Sequence, residues 1–164
     1  LVHGPANFDI LLGIEVIAVV SAKEMQEEML GNLHSADVII MSAAVADVKP
    51  REYAHEKLPK RSLPEALALE AVPDIITELA KRKQSHQTLI GFAAQTGDIV
   101  APALEKLQRK NLDAIVANPV DQPDSGFGSD NNQAVFLDQQ GRQVKIPPCS
   151  KLQLAHHLFD FVSG

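Results

Sequence analysis

The sequence predicts an α/β protein with a doubly wound, mostly parallel sheet that ends in a C-terminal β-hairpin and helix. Short β-branched and apolar segments alternate with amphipathic segments along most of the 164 residues. This alternation is typical of parallel strands covered by helices on both faces. Near the C-terminus, two apolar segments flank the turn sequence Asp138-Gln139-Gln140-Gly141, which indicates a hairpin.

The predicted strands are short and rich in Val, Ile, Leu and Ala. They lie at residues 14–20, 37–41, 66–70, 88–94, 113–118, 134–137 and 143–146. The predicted helices cover residues 22–33, 73–83, 99–110 and 151–162. Together these elements predict a Rossmann-like fold, in which ligands bind beyond the carboxyl ends of the strands.

Each predicted helix begins with a recognisable signal. Ser21 and Ser150 are each followed three residues later by Glu or Gln, the spacing of a capping box. Pro73 suits the first position of its helix, and Pro102 is tolerated because it lies in a first turn.

Composition excludes several classes of protein. The chain has 15 basic and 21 acidic residues, a net charge of −6, and few aromatic residues, which disfavours nucleic-acid binding. No apolar segment is long enough to cross a membrane. The single cysteine, Cys149, fits a reducing compartment, so a cytoplasmic location is predicted. The chain opens without Met, within what reads as a strand already under way, and we expect it to be a fragment.

The most informative segment joins a buried strand to a cation-rich loop. The small residues Ser42, Ala43 and Ala44 follow the strand, and Asp47 ends the run. Residues 48–62 then carry five cations and two carboxylates, a charge of +3. Small side chains let a ligand approach the backbone, and clustered Lys and Arg suit phosphate oxygens. The alternative interpretation is an ordinary solvated surface loop.

Other chemical signals are individually weak. There is no GxGxxG, Walker, CxxC or HExxH motif, and the histidines are scattered or paired on a helix. Ser42 lacks the glycines of a nucleophile elbow. Lys106 and Lys110 are four residues apart, so they can reach the same anion from one helix face, although lone lysines at this spacing are usually just exposed.

Seven motifs, in this order along the chain, resemble the phosphopantothenoylcysteine synthetase domain family. They are Ser42-Ala43-Ala44-Val45-Ala46-Asp47, Glu56-Lys57-x-x-Lys60, Val72-Pro73-Asp74-Ile75, Gly91-Phe92-Ala93-Ala94-Gln95-Thr96, Lys106-x3-Lys110-Asn111-x-Asp113, Ala117-Asn118 and Gly126-Phe127-x-Ser129-Asp130-Asn131. In bacteria this domain is commonly the C-terminal half of a bifunctional coenzyme A biosynthesis flavoprotein. The resemblance covers nearly the whole of residues 1–164.

The resemblance implies a ligase that joins 4′-phosphopantothenate to cysteine. CTP activates the carboxylate as an acyl-cytidylate with loss of pyrophosphate, and the amine of cysteine then displaces CMP. Cations and Mg²⁺ would stabilise the charge that develops at the α-phosphate, and the metal ligands stay unassigned. Family members are typically dimers, so a homodimer is expected. No flavin is expected in this segment, because the flavin-dependent decarboxylase domain is absent from it.

The resemblance also assigns the site residues. The nucleotide-binding residues that it implies are Met41, Ser42, Ala43, Asp47, Lys57, Lys60, Pro73, Asp74, Ile75, Ile76, Phe92, Lys106 and Lys110. Lys57 is the phosphate-binding lysine assigned a catalytic role. Lys57, Lys106 and Lys110 are expected to bind the same triphosphate.

The sequence departs from the family pattern in two places. The family often has a third lysine in a Lys-x-Lys-Lys pattern, where this chain has Pro59. The family also begins with a strand and a Gly/Ser-rich loop carrying an asparagine that turns over the acyl-cytidylate, and nothing here matches that segment. We therefore expect the fragment alone to lack part of the active site.

Two alternatives stay open at this point. One is an NAD(P)-dependent oxidoreductase on the same kind of sheet, which titration of nicotinamide cofactors against CTP would distinguish. The other is a non-catalytic nucleotide-binding or dimerisation module, which the missing opening segment favours and the retained cations oppose.

Overall fold

In the computed structural model, which describes residues 1–6, 12–121 and 130–164, the chain divides into two units. Unit 1 is Leu1–Gly31 with Ala44–Ile75, and unit 2 is Asn32–Ala43 with Ile76–Gly164. The strands are β1 (Val2–His3), β2 (Ile17–Ala18), β3 (Val38–Met41), β4 (Val48–Pro50), β5 (Leu69–Ala71), β6 (Thr88–Gln95), β7 (Ala114–Pro119), β8 (Asn131–Asp138) and β9 (Gln143–Ser150). The helices are α1 (Ala22–Gly31), α2 (Ile75–Arg82), α3 (Val100–Arg109) and α4 (Lys151–Ser163), with 3-10 helices at Leu33–Ser35 and Lys60–Ser62.

Unit 2 contains a five-stranded sheet in the order β3-β6-β7-β8-β9. β3, β6 and β7 are parallel, whereas β8 pairs antiparallel with both β7 and β9. The predicted α/β fold and C-terminal hairpin are therefore confirmed. The sheet is mixed because the C-terminal hairpin adds two antiparallel strands to it. Consecutive residues Phe136 and Leu137 of β8 are both fully buried, so both faces of this strand belong to the core.

One face of this sheet is covered by α4. Leu154, Leu158 and Phe161 of that helix pack on Ile90, Val116, Phe136 and other residues of the same face. The Ser150 hydroxyl accepts the Gln153 N–H at 3.2 Å, and the Gln153 side chain accepts the Ser150 N–H, so the second predicted capping box is confirmed. This cap fixes where β9 ends and α4 begins.

The opposite face carries Gly91, beside residues of α2 and of the segment after α3. A Cβ atom at Gly91 would lie 2.7 Å from Leu112 Cδ1 and 2.9 Å from Ile76 Cδ1. Glycine is therefore required for this close approach. Ala103 and Leu107 of α3 are also buried, which gives the amphipathic helix its core side.

Unit 1 contains two small two-stranded sheets and α1. β1 and β2 are parallel, and β4 and β5 form an antiparallel ribbon. The predicted cap of α1 is confirmed, because the Ser21 hydroxyl accepts the Glu24 N–H at 3.2 Å. In return the Glu24 carboxylate accepts the N–H groups of Val20 and Ser21, and these two bonds lower the pKa of Glu24.

Several predicted boundaries were wrong. The strand predicted at 14–20 is only Ile17–Ala18, and Glu15 and Val16 beside it are exposed. The helix expected to begin at Pro73 begins at Ile75. The segment 48–62, predicted as a loop, contains β4 and the 3-10 helix Lys60–Ser62, because cross-strand pairing with β5 orders its start. Most of the loop predicted at 118–132, including Gly126, Phe127 and Ser129, lies outside the described residues.

Candidate functional site

The carboxyl ends of three parallel strands lie at one edge of the sheet in unit 2. β3 ends at Met41, β6 at Gln95 and β7 at Pro119. Met41 is opposite Gly91 in the β3–β6 ladder, and Gln95 is opposite Pro119 in the β6–β7 ladder. The exposed residues Ser42 and Ala43 follow Met41 directly. This edge is therefore where an open α/β sheet offers a binding crevice.

A lysine ammonium lies at the point where β3 stops. Leu89 and Gln95 of β6 direct their carbonyls toward β7, accepting from Asp113 and Val120 at 3.0 Å each. Carbonyls alternate along a strand, so the Phe92 carbonyl points toward β3. The β3–β6 ladder ends one residue earlier, at Gly91, and the Phe92 carbonyl instead accepts a hydrogen bond from Lys106 Nζ at 2.7 Å.

This bond places a positive charge next to the residues that follow β3. Lys106 is half-buried and reaches β6 from α3. A strand continuing beyond Met41 would occupy the same carbonyl with a backbone N–H, so the early end of β3 leaves it to Lys106. The structure thus brings Met41, Phe92 and Lys106 together at the end of β3.

A polar side chain that the site prediction omitted lies on the same face as the Phe92 ring. Phe92 is opposite Val116 and Ala94 is opposite Asn118, so Phe92 and Asn118 project to the face that α4 covers. Asn118 is only 8% exposed, and buried polar side chains are uncommon without a role. Its position in the Ala117-Asn118 motif, directly after a run of apolar strand residues, was the signal that could have identified it.

Lys110 lies at the C-terminal end of α3. Its N–H bonds to the Lys106 carbonyl at 2.9 Å, and Asn111 follows with a positive φ of 52°. Two residues later, the Asp113 N–H donates to the Leu89 carbonyl at 3.0 Å. Asp113 therefore lies beside the start of β6, directly before β7 begins. Lys110 is therefore one helical turn, about 6 Å, nearer than Lys106 to the amino ends of the strands.

In unit 1 the predicted residues Asp47, Pro73 and Asp74 lie near one another. The Asp47 carbonyl accepts the Val72 N–H at 2.9 Å, which continues the β4–β5 ladder at its base. Pro73 and Asp74 come next and are exposed, whereas Ile75 is 2% exposed. Ile76, the first residue of unit 2 at this boundary, is also buried. The side chains of the two isoleucines therefore belong to the core, and only their backbone could meet a ligand.

An apolar pocket in unit 1 includes two residues of the small-residue motif. Its volume is about 360 Å³, and Val45 and Ala46 line it together with Val19, Met25 and Val72. Asp47 directly follows Ala46 and is exposed. No local sequence pattern indicates this pocket, because its walls come from four separate segments of the chain.

Lys57 and Lys60 lie in the segment that joins β4 to β5. Every residue from 51 to 69 is exposed, and this segment lies at the opposite end of the ribbon from Asp47. The structure therefore does not bring Lys57 and Lys60 next to Asp47. The shared triphosphate expected for Lys57, Lys106 and Lys110 stays a prediction, since Lys57 belongs to unit 1 and the other two to unit 2.

The described residues form neither a cluster of metal-ligating side chains nor a membrane-spanning helix. Within residues 1–6, 12–121 and 130–164, no three His, Cys, Asp or Glu side chains are grouped closely enough to hold a metal ion. Mg²⁺ often takes most of its ligands from substrate phosphates and water. The described part of the chain is compatible with that mode of binding. No helix in the described part of the chain has the length and apolar character needed to span a bilayer.

The chain is similar to a known protein family and to several known proteins. The family model described as DNA/pantothenate metabolism flavoprotein C-terminal domain matches residues 1–164. The coenzyme A biosynthesis bifunctional protein CoaBC of Bacillus subtilis (strain 168) is 37% identical over 165 residues, covering 100% of this chain. The chain spans only 40% of that relative's length.

Solved structures show the same fold. A crystal structure of the C-terminal domain of CoaBC is similar with a TM-score of 0.79 and 31% identity, covering 99% of this chain and 73% of that one. A Cab2 mutant in complex with phosphopantothenate-cysteine is similar with a TM-score of 0.60 and 15% identity, covering 80% of this chain and 46% of that one. At that identity the second similarity concerns the fold alone.

Proposed function

The chain belongs to the DNA/pantothenate metabolism flavoprotein C-terminal domain family, and from this premise we propose that it joins 4′-phosphopantothenate to cysteine with CTP. Its relatives support a role in coenzyme A biosynthesis. The finer proposal, the CTP-dependent ligase reaction, is supported by the seven ordered motifs that resemble the synthetase domain family.

The observation that carries the proposal is the Lys106 ammonium held 2.7 Å from the Phe92 carbonyl, at the carboxyl end of β3. A cation fixed at that edge suits an anionic nucleotide. In unit 2 the backbone of Met41, Ser42 and Ala43 would contact the nucleotide, Phe92 would pack on it, and Lys106 and Lys110 would bind its phosphates.

In unit 1, Lys57 and Lys60 would bind phosphate oxygens, and Lys57 would stabilise the charge of the transition state. Asp47 would contact the nucleotide, with Pro73, Asp74, Ile75 and the adjoining Ile76 lining its site at the start of α2, where free amides favour anions. Mg²⁺ would add charge neutralisation at the phosphates.

The reaction proceeds in two displacements. A carboxylate oxygen of 4′-phosphopantothenate attacks the α-phosphorus of CTP, and pyrophosphate leaves. The amine of cysteine then attacks the acyl carbon, loses a proton and displaces CMP, which leaves an amide. Both steps need the nucleotide and the acid held in one orientation, because proximity supplies much of the rate.

The proposal is tested with the full-length protein. CTP with Mg²⁺ should raise the melting temperature, whereas NADH and NADPH should not. Lys57→Ala should abolish acyl-cytidylate formation, and Lys106→Met should weaken CTP binding by tenfold or more, on the order expected for a lost charge-assisted hydrogen bond.

Arg109→Met is the matched control for Lys106→Met. Arg109 lies on the same helix, and its exposed contact with Glu105 is 4.0 Å long, so it contributes little. Wild-type turnover by Lys57→Ala would contradict the role of that lysine. Stabilisation by a nicotinamide cofactor instead of CTP would favour the oxidoreductase alternative.

Partners follow from the same proposal. We expect the substrates CTP, 4′-phosphopantothenate and cysteine, a homodimer, and fusion to a flavin-dependent decarboxylase domain outside residues 1–164. We expect no flavin to bind to this segment.

A further inference from the structure

A buried polar side chain, Gln87, lies where the chain enters β3 and β6. Gln87 is 2% exposed, the lowest value among the buried polar residues of the described ranges. Its amide nitrogen Nε2 donates to the carbonyls of Leu33 and Ala36 at 2.5 Å each, and its Oε1 accepts the Gln84 N–H at 2.8 Å. Both donors of the amide group and its oxygen therefore have partners, which offsets the cost of burying them.

These bonds join the turn before β6 to the segment before β3. The 3-10 helix Leu33–Ser35 and Ala36 precede β3 in the chain. The carbonyl of the next residue, Asp37, accepts the Thr88 N–H at 2.9 Å, and the parallel ladder between β3 and β6 follows directly. Gln87 therefore holds the start of β3 level with the start of β6.

The apolar pattern of β3 does not by itself determine this alignment. The strand Val38–Met41 is wholly apolar, and among the described residues it pairs with β6 alone. Register is strongly specified when buried apolar residues alternate with polar ones, and β3 lacks that alternation. A shift of β3 along β6 would, however, leave the Gln87 amide buried without its partners, which is costly. A single buried polar residue can specify register in this way.

The register of β3 decides what lies at the candidate site. Because Met41 is opposite Gly91, β3 ends one residue before the level of Phe92, and the Phe92 carbonyl accepts a hydrogen bond from Lys106 at 2.7 Å. The same register sets how far the backbone of Ser42 extends beyond the edge of the sheet. Each residue of shift displaces a strand by about 3.3 Å, so an error at the start of β3 reaches its end.

We propose that Gln87 is a positioning residue of the ligase, which fixes the register of β3 on β6 and thereby the nucleotide-contacting backbone that follows Met41. Gln87 acts through β3 and touches no substrate, because it lies at the amino ends of the strands. This inference rests on the proposed function, since it concerns the backbone proposed to contact CTP. A protein that adopts the binding-competent register for only part of the time binds its ligand more weakly in proportion to that fraction.

The test is Gln87→Met in the full-length protein, which removes both amide donors at similar side-chain length. If the variant holds the competent register about a tenth of the time, Kd and KM for CTP rise about tenfold, while kcat at saturating CTP stays near the wild-type value. Exchange of the Thr88 amide hydrogen, which is bonded to the Asp37 carbonyl, should become faster, and saturating CTP should slow it again. A merely structural role would not produce this combination.

Gln139→Met is the matched control. The Gln139 amide also donates to the backbone carbonyl of a distant segment, that of Leu112, at 2.6 Å, but it joins the turn between β8 and β9 to the segment before β7. Its substitution should leave the affinity for CTP and the exchange of the Thr88 amide unchanged. Equal loss of CTP affinity in both variants would show a general effect of lowered stability and overturn the inference.

Gln87→Asn covers the case in which Gln87→Met does not fold. Asparagine is one methylene group shorter, so its amide keeps fewer of the three bonds, and the same changes should appear at smaller size. Wild-type CTP affinity or wild-type Thr88 exchange in a folded Gln87 variant would overturn the inference and leave the proposed function intact. A lower kcat with an unchanged KM for CTP would overturn it as well. If the wild-type protein does not bind CTP, the proposed function fails, and the inference fails with it.

Discussion

Gly91 sets how closely the helical layer approaches β6. A Cβ there would lie 2.7 Å from Leu112 Cδ1 and 2.9 Å from Ile76 Cδ1, so two well-buried side chains would have to move. We expect Gly91→Ala to lower the free energy of unfolding by about 1–3 kcal/mol, the usual cost of overpacking. Chemical denaturation of the variant measures this directly.

Gly31→Ala is the control for that substitution. Nothing lies within 4 Å of a Cβ at Gly31, which ends α1. The same added methyl group should there be neutral or slightly stabilising, since alanine favours a helix. Because Gly91 neighbours Phe92 and is opposite Met41, its variant should also weaken CTP binding. An unchanged free energy of unfolding for Gly91→Ala would contradict the close packing.

At the scale of elements, α3 ends in a motif that explains part of the Lys110-Asn111-x-Asp113 sequence. The Leu112 N–H donates to the Leu107 carbonyl at 3.0 Å, and the Asn111 N–H donates to the Gln108 carbonyl at 3.1 Å. With Asn111 at a φ of 52°, this is a Schellman motif, in which asparagine or glycine takes the left-handed position. Asn111 therefore has a structural role.

The left-handed conformation of Asn111 predicts an order of stability at that position. Asn111→Ala should cost about 1 kcal/mol, because alanine lacks the short polar side chain with which asparagine tolerates a positive φ, whereas Asn111→Gly should be close to neutral. Thermal unfolding of both variants tests the order. A glycine variant less stable than the alanine variant would show that the backbone conformation does not decide the effect.

Asp113, the last residue of the same sequence motif, connects three elements of the fold. Its carboxylate accepts the Leu89 N–H at 2.6 Å and pairs with Lys83 at 3.0 Å. These bonds link the end of α2 to the starts of β6 and β7. Two residues of a motif that carries the resemblance to the synthetase domain family thus act on the fold, while Lys106 of the same motif lies at the candidate site.

At the scale of the whole molecule, the β4–β5 ribbon supports the expected homodimer. Val48 is opposite Ala71 and Pro50 is opposite Leu69, so these four apolar residues share one face, and all of them are exposed. Lys49 and Glu70 pair on the other face at 3.1 Å. An exposed, wholly apolar ribbon face is suited to burial against a second copy of the chain.

We therefore expect Val48→Glu with Leu69→Glu to shift the full-length protein from dimer toward monomer. Multi-angle light scattering during size-exclusion chromatography measures the change. Leu152→Glu, with Leu152 70% exposed on α4, is the matched control and should leave the mass unchanged. A monomeric wild-type protein, or a double variant that stays dimeric, would contradict this role of the ribbon.

The sequence was sufficient to predict the α/β class, the hairpin and the capping boxes at Ser21 and Ser150, because local patterns determine these features. It could not show that Lys106 bonds to the Phe92 carbonyl, since that contact depends on where β3 stops relative to β6. The buried position of Ile75 and Ile76 likewise follows from tertiary packing. The 360 Å³ pocket is assembled from distant segments, and no local pattern reports it.

The two edge strands of the five-stranded sheet, β3 and β9, differ in how readily another chain could pair with them. β9 carries Pro147, Pro148 and exposed Lys145, which discourage another chain from adding a strand. β3, at the other border, is entirely Val, Ile and Met, and no described residue pairs with its outer side. When the outer side of β3 is uncovered, as during synthesis or in a truncated variant, we expect aggregation to begin at β3 rather than at β9.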